Sequence, residues 1–206
     1  MGFFDFLKSK RGLHLSQLAK RLGYDYLARD EYGVRHLLMD FQLLKIGGRK
    51  RIKHIISKDF YDPDLKIKIF DYQYTISTGQ SSATYVQTVF FANCKELGLP
   101  KFCLKPENLL HTIGAWLGKN DIDFESFPEF SKSYHLTGED EYIIRQTFSD
   151  DVLQYFTQHS GWSVEGLNYF LIFYKSKKRQ APEVMQPFIQ QGFEILDLFM
   201  HKGYSV

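Results

Sequence analysis

The sequence predicts an α+β domain: an antiparallel sheet of about seven strands closed by a C-terminal helix. Three observations carry this expectation. The chain holds 19 Phe and 13 Tyr in 206 residues, an aromatic excess that suits half-buried pleated surfaces. Residues 66–77 alternate apolar and polar, then turn through Thr78-Gly79-Gln80-Ser81-Ser82 into a second extended run, the pattern of a hairpin. Finally, Phe188, Ile189, Ile195, Leu196, Phe199 and Met200 repeat at helical spacing near the C-terminus.

Taken in order, residues 1–12 are an apolar, then basic, segment and residues 13–206 one α+β domain. Leu15, Leu18, Ala19 and Leu22 mark a short helix that Gly23 ends. Residues 24–48 have no clear period. Residues 51–57 form a first strand, and Asp62-Pro63-Asp64 turns the chain. In the next strand Phe70, Tyr72, Tyr74 and Ile76 share one face. Ile67 and Ile69 fall on the other, which predicts a bulge or a change of face near Phe70.

Residues 83–93 and 101–105 are further strands. Pro106 then opens a helix carrying Leu109, Leu110, Ile113, Trp116 and Leu117. Residues 130–136 read as a strand, and Thr137-Gly138-Glu139-Asp140 as the cap of a helix with Ile143, Ile144 and Phe148. Ser149 caps another short helix. Residues 162–167 and 169–175 pair as strands. The second, Tyr-Phe-Leu-Ile-Phe-Tyr, is apolar on both faces and so belongs mid-sheet. Pro187 places the start of the last helix near Gln186, and Gly203 ends it behind His201-Lys202. Two architectures fit: a pleckstrin-homology-like split barrel, or a single curved sheet gripping the terminal helix. The first is preferred.

Composition narrows the function classes. Cys94 and Cys103 lack a C-x-x-C spacing and sit in apolar contexts, as buried thiols do. No basic region precedes the apolar opening residues, and no run reaches the roughly 18 apolar residues that span a bilayer. The expected setting is therefore cytoplasmic, membrane-peripheral at most. The net charge of +2 hides an asymmetry: residues 1–60 hold 13 Lys and Arg against 6 Asp and Glu.

Motifs for common chemistries are missing. There is no Walker A, G-x-G-x-x-G, G-x-S-x-G or H-E-x-x-H, so no cofactor, metal or catalytic residue is expected. Residues 15–23 resemble the first helix of a helix-turn-helix, but residues 24–31 bring three acids and no helical stripe where a DNA-reading helix belongs. Asn120-Asp121-Ile122-Asp123-Phe124-Glu125 has alternating oxygen ligands. It lacks the glycine and the final glutamate of a calcium loop.

Two groups of residues stay candidates. Phe3, Phe4 and Phe6 with Lys8, Lys10 and Arg11, and the basic run Arg49, Lys50 and Arg51, suit an anionic membrane surface. Asp71, Asp123 and Glu125 would make a polar site if the fold brought them together. The leading reading is a non-enzymatic binding or scaffold module, perched on a membrane or paired with a protein or a second copy of itself. An enzyme with a carboxylate-based site is the alternative, and a non-specific nucleic-acid binder the second.

Several phrases resemble an uncharacterised bacterial family of unknown function. They are Phe70-Asp71-Tyr72-Gln73-Tyr74, Gln87-Thr88-Val89, residues 100–107, Asp121-Ile122-Asp123-Phe124-Glu125, Pro128-Glu129-Phe130 and Tyr134-His135-Leu136. The resemblance implies a bacterial origin and a cytoplasmic or membrane-peripheral setting. It implies no activity, cofactor or catalytic residue.

Overall fold

A computed structural model describes residues 9–61, 64–109 and 121–200. The candidates Phe3, Phe4, Phe6 and Lys8, the Asp62-Pro63 turn, the stripe from Leu110 to Leu117 and the helix end at Gly203 lie outside them.

Eight strands form one open antiparallel sheet in the order β1-β2-β3-β4-β8-β7-β5-β6. Among the described residues β1 and β6 are the outermost strands, and the sheet does not close into the split barrel preferred from sequence. The expected sheet and closing helix are present, with one strand more than about seven among the described residues.

Helix α1 (Lys10–Leu22) starts where the Ser9 hydroxyl accepts the Gly12 N–H and stops at Gly23, which adopts φ 70°. The boundary expected after residue 12 thus falls inside its first turn. Strand β1 (Asp25–Arg29) pairs with β2 (Gly48–Phe60) where a DNA-reading helix would have stood. Between them, helix α2 (Val34–Leu37) is capped by Asp30, whose carboxylate accepts the Val34 and Arg35 N–H groups. A 3-10 turn (Gln42–Lys45) completes a strap over one face of the sheet.

Strands β3 (Leu65–Ser77) and β4 (Ser82–Cys94) stay in unbroken register from Leu65 opposite Cys94 to Ser77 opposite Ser82. The irregularity expected near Phe70 exists, but in the neighbouring strand. Lys53 faces Asp71 and Ile56 faces Ile69, so His54 and Ile55 together oppose Phe70, with His54 at φ 53°. Ile67 and Ile69 need no change of face because both faces of β3 are covered.

Strand β5 (Leu99–Pro106) runs through Pro106, opposite Tyr134. The proline therefore ends a strand instead of opening a helix, and a 3-10 turn (Glu107–Leu109) follows. The stretch read as a strand over 130–136 divides into helix α3 (Pro128–Ser133) and strand β6 (Tyr134–Gly138). Pro128 in the first turn sets helical φ, and Phe130 alone supplies the buried contact. Helix α4 (Glu141–Thr147) is capped by Asp140, and α5 (Asp150–Gln158) follows Ser149. Strands β7 (Ser163–Asn168) and β8 (Phe170–Tyr174) fill the centre, with β8 fifth of eight as its two apolar faces require. Helix α6 (Met185–Met200) closes the chain described.

Two apolar clusters lie on opposite faces of the sheet. The larger joins α1, α3–α6 and the strands. In it Phe102 stacks on Phe199 at 5.5 Å and meets Phe148 edge-on at 5.0 Å. Gly192 in α6 rests on the Phe90 ring, where a Cβ would come within 2.3 Å of it. The smaller cluster lies under the strap, where Val34, Leu38, Phe41, Leu43 and Leu44 cover Phe70, Tyr72, Tyr74, Phe91 and Ile172.

Candidate functional site

The strap face changes character halfway across the sheet. On β3, β4 and β8 it is aromatic. On β7, β5 and β6 it is polar: Cys103 pairs with Thr137 and Glu165, Lys105 with His135, and Ser163 with Tyr174, and paired residues share a face. Lys105, Ser163 and Glu165 are nonetheless at most 2% exposed. The sequence does not announce this polar floor, because each of β5, β6 and β7 supplies only two of its members and the pairing of the strands joins them.

Glu165 ties the floor to the strap. Its Oε2 accepts the Gln42 N–H at 2.6 Å, and its Oε1 accepts the Leu43 N–H at 3.1 Å and the Tyr174 hydroxyl at 2.8 Å. Burial pushes the Glu165 carboxyl up, while Lys105 and the three donors pull it back. The same burial, with Glu165 nearby, pushes the Cys103 thiol up to about 12. A thiol so protonated is a poor nucleophile, and the cluster reads as a fastening device.

On one side of the fastening lies a cleft of about 210 Å³ between Asp40, Gln42, Lys101, Thr137 and Glu165. On the other is a cavity of about 10 Å³, room for one water, beside Gln87, Lys105, Ser163 and Tyr174. Among the described residues Gln87 Nε2 and Ser163 Oγ, both buried there, have no hydrogen-bond partner, although Gln87 Oε1 accepts the Lys177 N–H at 2.9 Å.

The polar trio proposed from sequence does not converge. Asp71 lies in β3 on the helical face, bound by Arg11 Nε at 2.6 Å and Nη2 at 2.7 Å and by the Thr88 hydroxyl at 3.0 Å. Arg11 Nη1 also donates to the Gln180 carbonyl at 2.7 Å. Arg11 is therefore spent on holding α1 to the sheet and offers little to a membrane, whereas Lys10 is exposed. Asp123 and Glu125 are exposed beside β6, five strand positions from β3. The Asp123 carbonyl accepts Arg145 Nη1 at 2.7 Å.

The basic run meets the strap at Lys50, which Arg35 approaches. Arg49 and Lys50 sit in a second bulge of β2, between Gly48 opposite Thr75 and Arg51 opposite Gln73, with Arg49 at φ 49°. Lys50 is pushed down by partial burial and then by Arg35; Lys53 by partial burial and then by Arg51 and Arg29. Exposed Tyr32, Leu37 and Met39 flank Arg35 on the strap. The other basic run, residues 175–179, is turned onto its own aromatics, with Lys175 Nζ 4.2 Å above Trp162 and Lys177 Nζ 4.6 Å above Tyr85.

A third group joins Glu107, Asp121 and His135, with one ligand atom of each within 4.8 Å of the others. No sequence motif spaces them.

These features define an α+β domain with helices on one face of an open sheet, a strap on the other and a basic tip. No family model and no curated protein matches the chain. Among solved structures it is similar to the crystal structure of the mycobacterial trehalose monomycolate transport factor A, TtfA, with a TM-score of 0.63 and 12% identity over 95% of each chain. The likeness is one of fold.

Proposed function

We propose that the domain is a non-enzymatic binding module that docks peripherally on an anionic membrane surface, on the cytoplasmic leaflet. The observation that carries this reading is the approach of Arg35 to Lys50, which has Arg49 and Arg51 on either side of it in the chain, while Tyr32, Leu37 and Met39 are exposed along the strap that bears Arg35. Each cation near such a surface contributes about 1 kcal/mol, and apolar side chains beside them enter the headgroup region. Mutual repulsion among the cations is relieved when lipid phosphates or carboxylates approach. Among the described residues no helix is long and apolar enough to cross a membrane, so docking would be from one side. The fold is shared with a protein named as a transport factor for trehalose monomycolate. Aliphatic Leu37 and Met39 suit lipid better than the stacking platforms of a nucleic-acid groove.

Vesicle co-sedimentation tests the reading. The chain is expected to partition onto phosphatidylserine-containing vesicles and not onto phosphatidylcholine alone. High salt, or joint reversal of Arg35, Lys50 and Arg51 to Glu, should remove the binding. Equal partitioning of the wild type and the triple variant would overturn it, as would preference for duplex DNA at equal phosphate.

A further inference from the structure

We propose that Glu107, Asp121 and His135 form a binding site for one divalent cation of the zinc, cobalt(II) or manganese(II) class. The site is independent of the basic tip. Two strands and a loop build it. Glu107 follows directly on β5, whose last residue, Pro106, faces Tyr134; His135 is the next residue along β6. Asp121 is fixed against the same strand, because its Oδ1 accepts the Leu136 N–H at 2.8 Å while the Ile122 N–H donates to the Leu136 carbonyl at 2.8 Å. The outward edge of β6 thus holds the aspartate in one place before any ligand arrives.

The spacing suits a cation. Asp121 Oδ2 stands 3.0 Å from His135 Nδ1. Two neighbouring ligands, each about 2.0–2.2 Å from one ion, lie about 3 Å apart when their bonds meet near a right angle. The Glu107 carboxylate is within 4.8 Å of both, and it is exposed, so it can swing the remaining distance. Two carboxylates this close repel each other, and a dication between them reverses the sign of that interaction.

The imidazole supplies the second argument. The His135 side chain is only 13% exposed, and among the described residues its buried Nε2 has no hydrogen-bond partner. If Nδ1 carries the proton and donates to Asp121, Nε2 keeps a lone pair that no protein donor meets. If Nε2 carries it, the Nδ1 lone pair faces a carboxylate. The second tautomer is the one that ligates, because its Nδ1 lone pair faces Asp121 Oδ2 and an ion placed between them meets both. Lys105 pairs with His135 across the strands, but it hydrogen-bonds Cys103 and interacts with Glu165.

The donor set sets the class of ion. One imidazole with two carboxylates favours borderline transition ions over calcium or magnesium, which take oxygen almost alone. Three protein ligands also leave a position for water or a further ligand.

The test uses the full chain, free of any affinity tag and stripped with chelator. Titration with Co²⁺ should give a visible absorption band that saturates at one equivalent and is displaced by Zn²⁺. Glu107→Gln, at an exposed residue, and His135→Gln should each weaken Co²⁺ binding by about 10-fold or more. The metal-free melting curve of Glu107→Gln should match the wild type, separating lost ligation from lost fold. Absence of saturable Co²⁺ binding would overturn the site. So would Glu107→Gln binding as the wild type does, or Ca²⁺ displacing Co²⁺ at equal concentration.

Discussion

The two faces of the sheet bury ionic groups in opposite styles. On the helical face the device is the Arg11–Asp71 pair, and it is complete: the carboxylate accepts from two of the arginine nitrogens and from Thr88, whose own hydroxyl accepts the Gln180 N–H at 2.9 Å. On the strap face Glu165 and Lys105 are as deeply buried, yet among the described residues the network around them leaves Gln87 Nε2 and Ser163 Oγ without partners. Both residues line the cavity with room for one water, so the strap face is fastened less completely than the helical face.

That contrast breaks first at Asp71. Replacing it with Ala leaves the Arg11 guanidinium partly buried without its counter-ion, a loss of about 3–5 kcal/mol in typical cases. Because Arg11 also reaches the Gln180 carbonyl, the same change loosens both α1 and the segment ahead of α6. Urea denaturation should show the drop. A change under about 1 kcal/mol would mean that the pair merely decorates an interface held by Leu15, Leu18 and Ala19.

The fold was legible where burial imposes a period, and illegible where single contacts decide. The alternation of Phe70, Tyr72 and Tyr74 and the doubly apolar β8 identified the sheet and its centre, because each face repeats the same demand every second residue. Residues 128–133 misled because one buried residue, Phe130, satisfies a helix or a strand equally well, and only Pro128 hints at the choice. The strap was opaque because Val34, Leu38, Phe41 and Leu43 cover the sheet without a constant period. Sites were harder still. Arg49–Arg51 could be found as a run, but Glu107, Asp121 and His135 are brought together by strand pairing, and each alone looks like an ordinary surface residue.

The helical face can also be probed without charge. Gly192→Val would put a branched side chain against Phe90, where even a Cβ would stand 2.3 Å from the ring. Overpacking of this kind costs about 1–3 kcal/mol, more than the few tenths that valine gains over glycine in helix propensity. The thermal midpoint should fall accordingly. An unchanged midpoint would show that α6 can lift from the sheet, and the helical face would then be less rigid than its packing implies.

The smallest expected effect is the most informative about the strap face. Burial raises the Glu165 carboxyl above its ordinary 4.5, with Lys105, Tyr174 and the Gln42 and Leu43 amides opposing the rise and Cys103 protonated beside it. Between the ordinary value and the raised one the folded chain keeps a proton that the unfolded chain has released. This contribution is therefore full at the acid end and is lost as pH rises through the folded value. Glu165→Gln removes the titration while keeping one acceptor for the strap amides, at a cost of about 1 kcal/mol where the wild-type carboxyl is protonated. Urea midpoints measured from mildly acidic to neutral pH should thus converge for the two proteins as pH rises. If the gap instead widens with pH, the ionised carboxylate is the favoured buried form. Lys105 and the strap amides would then outweigh desolvation, and the strap face would be as electrostatically closed as the Arg11–Asp71 face.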